Sequence, residues 1–129
     1  MKWQEYVKKR LAFLRKAADV ARRYRHLKAL LTLRKAIQLA DRRHRLTGER
    51  FYVMPWGKRL YTICRRELKR AKLKKIINPN ARVFDLDREC FYATTYADET
   101  TGKYSQEVLK LKRRQWIDYC DRQYAKKKK

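Results

Sequence analysis

The sequence predicts an α+β protein in which a long basic N-terminal helix or helical hairpin precedes two β-hairpin–helix units. Three observations predict this fold class: residues 2–47 contain no glycine or proline, two β-rich runs surround turn residues, and the C-terminal part has helical periodicity. The two hairpins can pair into one small antiparallel sheet with helices on one face. We therefore divide the chain into a basic helical arm (1–48), a small α+β body (49–125) and a disordered lysine tail (126–129).

The arm has apolar residues at helical spacing, with lysine and arginine on its remaining faces. This stripe consists of Trp3, Tyr6, Val7, Leu11, Leu14, Ala18, Ala21, Leu27, Leu30, Leu31, Ile37 and Ala40. Gly48 follows as a C-terminal cap, after a last turn whose basic residues suit the helix dipole. One unbroken helix would be roughly 70 Å long, so both a single helix and a hairpin broken near residues 24–26 stay open. Helices gain most of their stability from packing an apolar face, so we expect partners to order the arm.

The first hairpin–helix unit follows the arm. Two β-rich runs within residues 50–63 flank Pro55-Trp56-Gly57, in which proline and glycine suit a turn. Residues 64–77 return to a helical pattern, which Asn78-Pro79-Asn80 ends. This region therefore predicts a hairpin and a basic helix.

The second unit is predicted in the same way. Residues 83–86 and 89–96 are β-rich and flank Asp87-Arg88, a candidate tight turn. Ser105 is a good N-cap for a last helix that reaches about Tyr124. The aromatic and branched residues at strand and helix spacing favour core positions, namely Phe51, Val53, Phe84, Phe91 and Trp116. Trp56 is predicted at the tip of a turn, where it could belong to the core or contact RNA, DNA or a neighbouring protein.

The charge points to a polyanionic partner. Lysine and arginine occupy 37 positions against 13 aspartates and glutamates, a formal net charge of +24. Such an excess is typical of proteins that replace the counterions of nucleic-acid phosphates, so we expect sequence-tolerant binding of DNA or RNA. Acidic residues cluster at Asp85, Asp87 and Glu89, which we interpret as an edge that pairs with basic groups of this chain or a neighbour.

Enzymatic patterns are lacking. The sequence has no glycine-rich phosphate loop and no clustered Cys/His spacing, and Cys64, Cys90 and Cys120 are far apart. We therefore expect no catalytic residues, no metal, no cofactor and no small-molecule substrate. No apolar run approaches the length of a membrane span, so we expect no membrane partner.

Basic residues interleaved with aromatic ones identify the candidate contacts with nucleic acid, because guanidinium groups bind phosphate and rings stack on unpaired bases. These candidates are Arg22, Arg23, Arg25, Arg42, Arg43, Arg45, Arg50, Trp56, Lys58, Arg59, Arg65, Arg66, Lys69, Arg70, Lys72, Lys74, Lys75, Arg113 and Arg114.

Residues 41–75 resemble a pattern found in small proteins of crAss-like tailed phages that infect gut Bacteroidetes. In that pattern a basic helix ends in Arg-His-Arg-x-Thr-Gly, here residues 43–48, and leads into a hairpin of Arg-Phe/Tyr-Tyr-Val type, here residues 50–53. An arginine- and lysine-rich helix follows. Trp56 and the chain after Asn80 lie outside the pattern, which transfers no active site.

The resemblance implies a phage structural or DNA-associated protein. The sequence hypothesis is thus a small basic structural protein of a phage virion, at the capsid, portal or tail, that contacts packaged nucleic acid or acidic neighbouring subunits. It would be located in the virion, and in the host cytoplasm during assembly. The alternative is a ribosomal or ribosome-associated RNA-binding protein on the cytoplasmic ribosome, since a basic helical arm with a small α+β body is typical there.

Overall fold

A computed structural model describes residues 2–57, 59–75 and 77–127 of the chain. Its elements are helix α1 (Lys2–Thr47), strands β1 (Phe51–Trp56) and β2 (Arg59–Cys64), a 3-10 turn (Arg65–Glu67), helices α2 (Leu68–Leu73) and α3 (Val83–Glu89), strand β3 (Tyr92–Ala93) and helix α4 (Gln106–Lys127). The predicted α+β class is confirmed.

The arm forms one helix of 46 residues, without the break allowed near residues 24–26. It ends where the amide of Gly48 donates to the carbonyl of His44 at 2.7 Å. Gly48 has a φ of +75°, the left-handed conformation that closes many helices. The predicted cap is confirmed.

The sheet has three antiparallel strands in the order β2-β1-β3. The first hairpin is confirmed, but its predicted turn is displaced: Pro55 and Trp56 belong to β1, where they pair with Leu60 and Arg59. Gly57 follows with a φ of +59°. Strand β3 pairs only with Tyr52 and Val53. Because β1 is central, Phe51 to Met54 are buried on both faces of the sheet.

The two faces of the sheet carry separate clusters of apolar side chains. On one face Phe51 and Val53 pack with Trp116 of α4 and with Ala29 and Leu33 of α1. Helix α4 runs antiparallel to α1, since Trp116 Nε1 donates to the carbonyl of Ala29 at 2.8 Å while residues near its C-terminal end contact Arg25 and His26. The opposite face is formed by Tyr52, Met54, Ile63, Leu68, Leu86, Cys90 and Ala93.

The predicted second hairpin is wrong, because residues 83–89 form helix α3. Val83, Leu86 and Cys90 are three and four positions apart and pack toward the same cluster, a helical pattern that a short alternating run conceals. The carboxylate of Asp85 accepts from the Arg82 amide at 2.9 Å and so caps the first turn. Phe84 consequently lies outside the core, 70 % exposed.

The helix predicted for residues 64–77 is shorter. A 3-10 turn precedes α2, which ends at Leu73, and Lys75 takes a positive φ of 59°. Five basic residues lie between positions 69 and 75, and their mutual repulsion at helical spacing disfavours a longer helix.

At the C-terminal end, the predicted cap by Ser105 is confirmed: its hydroxyl accepts from the Val108 amide at 3.2 Å. Helix α4 continues through Lys127, two residues into the segment expected to be a disordered tail. Lys128 and Lys129, the rest of that predicted tail, lie outside the described residues.

Candidate nucleic-acid interface

The basic side chains expected to bind nucleic acid are mainly on the surface. Lys72 is half-buried. The exposed candidates are Arg22, Arg23, Arg42, Arg45, Arg59, Arg65, Arg66, Lys69, Arg70, Lys74, Lys75, Arg113 and Arg114. They belong to the arm, to the β2–α2 region and to α4, so no single groove collects them. Lys58 lies outside the described residues.

Arg50 must be removed from the predicted interface. Its side chain is only 8 % exposed and forms an ion pair with Asp87 at 3.1 Å. Its Nη1 donates to the carbonyls of Thr94, at 2.8 Å, and Gly102, at 3.2 Å. Arg50 therefore holds β1, α3 and the loop before α4 together, and its guanidinium is not available to phosphate.

The surroundings of Arg50 are built for this role. The guanidinium lies over the rings of Tyr52 and Tyr96, at 5.3 and 4.5 Å from their centroids. Burial, and then the charge of Asp87, raise the pKa of Tyr52 to about 12. Gly102 has a φ of +81°, and a Cβ there would collide with Arg50 Nη1. A glycine is thus required where the loop crosses the guanidinium.

Arg43 is also partly committed inside the protein. It donates to the carbonyl of Thr62 and to Glu67 Oε1, both at 2.8 Å, and its guanidinium lies 4.4 Å from the centre of the Phe51 ring. Burial raises the pKa of Glu67, but hydrogen bonds from Arg43 and from the Cys64 amide outweigh it, so the net pKa is lowered. Glu67 is therefore a carboxylate that neutralises Arg43.

The groove beside Arg43, about 380 Å³ in volume, brings together the candidates Arg43, Arg66 and Arg70. It also contains Glu49, which pairs with Arg66 at 2.6 Å, and Glu67. Two of its three arginines are thus compensated by carboxylates. The groove itself is a weak anion site, whereas the exposed residues outside it keep their charge.

A second groove combines basic and aromatic groups. It lies between α1, α4 and the β1–β2 turn, has a volume of about 410 Å³ and is lined by Arg25, Lys28, Arg59, Tyr119 and Tyr124 among others. We call it the aromatic groove. Its basic groups can bind phosphate beside rings that can stack on a base.

Several contacts hold the aromatic groove in shape. Arg25 lies over the Tyr124 ring at 4.0 Å, and its Nε is buried without a hydrogen-bond acceptor in the described part of the chain. The hydroxyl of Tyr119 donates to the carbonyl of Gly57 at 2.9 Å and ties α4 to the turn. Trp56, next to this turn, is 45 % exposed and packs on Tyr61 with ring centroids 5.3 Å apart.

Of the residues that line the groove, the sequence identified Arg25 and Arg59 but missed Lys28, Tyr119 and Tyr124, and the predicted Trp56 lies outside this lining. Arg25 and Tyr124 lie far apart in the chain, and only the antiparallel packing of α4 on α1 brings them together. A linear pattern carries no signal for such a pair.

The predicted acidic edge does pair with basic groups of the same chain. Asp87 binds Arg50, and Arg88 contacts Asp85 at 3.3 Å and Glu89 at 3.8 Å. These carboxylates lie on and beside a helix rather than along a strand. Of these three pairs, that of Asp87 with Arg50 joins separate elements of the body, whereas those of Arg88 are local to α3.

Potential metal ligands do not cluster in the described residues. They contain no group of three or more His, Cys, Asp or Glu side chains that could hold a metal ion. The three thiols are free, and burial raises the pKa of Cys64 and Cys90 and brings that of Cys120 to about 11, which disfavours the reactive thiolate. Of the helices in the described ranges, none has a stretch apolar enough to span a bilayer.

No protein-family model, curated protein or solved structure matches this chain.

Proposed function

We propose that this chain is a small basic structural protein that binds nucleic acid, without base specificity, as part of a large assembly. The resemblance of residues 41–75 makes a phage virion the first candidate for that assembly. The protein would contact packaged nucleic acid, acidic neighbouring subunits or both.

The observation that carries this proposal is the unequal use of the two signs of charge. Several carboxylates of the body already form ion pairs with arginines of the same chain, namely with Arg43, Arg50 and Arg66. Exposed basic residues on the arm, the 3-10 turn, α2 and α4 have few carboxylates left to pair with, because the chain has a net charge of +24. Phosphates supply the missing negative charge, and release of their counterions makes such binding favourable.

The test is a salt titration of binding to DNA and RNA of unrelated sequences. For contacts with roughly 6–10 phosphates, affinity falls by about 10³–10⁵ between about 50 and 200 mM salt. We expect similar affinities across sequences, because the charges are spread over several elements. An affinity that does not change with salt contradicts phosphate binding.

Two matched variants separate local contacts from total charge. The triple substitution Arg65→Gln, Lys69→Gln and Arg70→Gln removes three exposed charges near α2, and Lys103→Gln, Lys110→Gln and Arg122→Gln removes three exposed charges elsewhere. Removing one basic side chain that binds a phosphate reduces the salt slope by about one unit. We expect a slope reduction of roughly three for the first triple and a smaller one for the second. Equal reductions would assign binding to the net charge alone.

The aromatic groove favours the second candidate, a ribosomal or ribosome-associated protein. The half-buried rings of Tyr119 and Tyr124 line this groove, and sequence-specific RNA recognition stacks unpaired bases on such rings. Tyr124→Leu should then weaken binding to single-stranded RNA more than to duplex DNA. Equal effects on both would remove this support, and co-purification with virion proteins or with ribosomal RNA identifies the assembly.

A further inference from the structure

The N-terminal half of α1 carries an exposed apolar seam that does not contact the body. Tyr6, Phe13, Val20 and Leu27 recur at every seventh position. Trp3, Tyr24 and Leu31 lie on a second line with the same spacing, offset by three positions, which also includes Arg10 and Ala17. The two lines are the d and a positions of a heptad repeat, and we call them the seam.

Exposure shows that nothing in the described chain covers the seam. Its seven large side chains, from Trp3 to Leu31, are between 53 and 72 % exposed. An isolated exposed leucine is ordinary, but a row of aromatic and branched side chains along one helix marks an interaction surface. The seam needs a partner that the body does not provide.

The seam also points away from the body. Ala29 and Leu33, which face the body, are 7 and 2 % exposed, whereas Leu31 between them is 55 % exposed. Two residues correspond to roughly 200° around an α-helix, so Leu31 lies on the opposite side. A partner helix can therefore run along the seam without displacing α4.

The flanks of the seam indicate the charge of that partner. Two sets of positions border the contact in a coiled coil: the g positions are Lys9, Lys16, Arg23 and Leu30, and the e positions are Val7, Leu14, Ala21 and Lys28. The only acidic residues of the segment 2–24, Glu5 and Asp19, both fall at c positions, away from the contact. A second copy of this chain would bring basic flanks beside basic flanks or apolar residues, so self-association is disfavoured.

Arg10 also favours an acidic partner over a second copy of this chain, because it occupies an a position inside the seam. A charged residue at such a position reduces stability but selects a partner that can compensate it. In a copy of this chain no carboxylate would lie within the seam to meet Arg10. An aspartate or glutamate on a partner helix would.

We propose that the seam between Trp3 and Leu31 binds an acidic amphipathic helix of another subunit, with carboxylates at its flanks and apolar residues at its a and d positions, except for one carboxylate that faces Arg10. This goes beyond nucleic-acid binding, since it assigns the apolar side of the arm and its basic flanks to protein and leaves the other exposed basic residues for phosphate. The two activities are separable by substitution.

The experiment measures binding of the full-length protein to a designed peptide of about four heptads, with glutamate at e and g and leucine at a and d, except for one glutamate at the position that faces Arg10. The same peptide with lysine at e and g is the charge control. Phe13→Ser combined with Val20→Ser removes two seam side chains that are 68 and 65 % exposed. Leu46→Ser combined with Phe84→Ser removes two side chains of similar exposure, 79 and 70 %, outside the seam.

We expect the acidic peptide to bind, the lysine peptide not to bind, and the seam variant to lose at least roughly tenfold in affinity. The control variant should bind like the unsubstituted protein. Both variants keep the net charge, so their salt-dependent binding to DNA should not change. If the unsubstituted protein did not bind DNA, that result would contradict the proposed function but not the inference about the seam.

Three outcomes overturn the inference about the seam. In the first, the acidic peptide does not bind, or binds the seam variant equally well. In the second, the lysine peptide binds as tightly as the acidic one, which removes the charge argument. In the third, the seam mediates self-association in sedimentation experiments, or binding to vesicles of anionic lipid, while the acidic peptide is ignored.

Discussion

The two halves of α1 have similar compositions but opposite environments. In the proximal half, residues 25–47, Ala29, Leu33 and Ala40 are buried against the sheet and α4. In the distal half, residues 2–24, large side chains such as Phe13 and Leu14 are exposed. What differs is not the supply of apolar residues but whether another element of the chain reaches them.

The buried residues of the proximal half are mainly small. Alanines let the helix approach the sheet and α4 closely, and the tryptophan of α4 then fills the space at Ala29. The larger residues of the same half, such as Leu27 and Leu31, lie on the side that faces away. Leu33 is buried and Leu31 is exposed, so the size of a side chain does not identify the buried face of this helix.

The largest expected effect is the removal of Trp116, the side chain most central to the body. It is 1 % exposed, donates to the Ala29 carbonyl and packs against the rings of Phe91 and Tyr119. Trp116→Ala should lower the free energy of unfolding by about 3–5 kcal/mol, through the reduced burial and the cavity that remains.

The matched control for Trp116→Ala is Phe13→Ala in the distal half, which is 68 % exposed. We expect it to change stability by less than about 0.5 kcal/mol. Chemical denaturation of both variants measures the contrast. Comparable losses would mean that the distal half contributes to the core, contrary to its exposure.

A smaller effect should separate two arginines that both pair with carboxylates. Arg50→Met leaves Asp87 without its cation and three elements without their shared donor, so we expect a loss of about 2 kcal/mol. Arg66→Met removes a pair whose arginine is 75 % exposed, and stability should stay within experimental error. Thermal unfolding of the two variants is the measurement, and equal stabilities would contradict the structural role of Arg50.

The fold class follows from the sequence, and so do the first hairpin and the last helix, because local chemistry marks them: Gly57 after β1, and a cap at Ser105. Helix α3 does not, since a run as short as Val83–Glu89 satisfies both strand and helix patterns. Its state is decided by packing of Leu86 and by the pairing of Asp87 with Arg50, contacts that join distant parts of the chain.

The candidate site shows the same limit. Exposure of the basic residues on α2 and α4 agrees with their amphipathic patterns, but the sequence cannot tell Arg50 from Arg59. Both lie in the same hairpin segment, in which basic and aromatic residues are interleaved, yet Arg50 binds Asp87 beneath the loop and Arg59 lies on the surface. The aromatic groove likewise exists only once α4 has packed on α1.

The smallest expected effect tests where the body ends. Deletion of residues 2–22 removes most of the distal half, whose residues are exposed except for the half-buried Val7, and should shift the unfolding temperature by less than about 2–4 °C. Deletion of residues 2–26 also removes Arg25, which lies over Tyr124, and His26, whose Nε2 is 2.9 Å from Asp121. We expect this longer deletion to lower the free energy of unfolding by roughly a further 1 kcal/mol, as exposed cation–π and polar pairs do.

Thermal unfolding followed by near-ultraviolet circular dichroism reports on Trp116 in the body rather than on the deleted part of the helix. If the shorter deletion already unfolds the body, the arm is part of the core; if neither deletion has an effect, the contacts at Arg25 and His26 do not anchor α4.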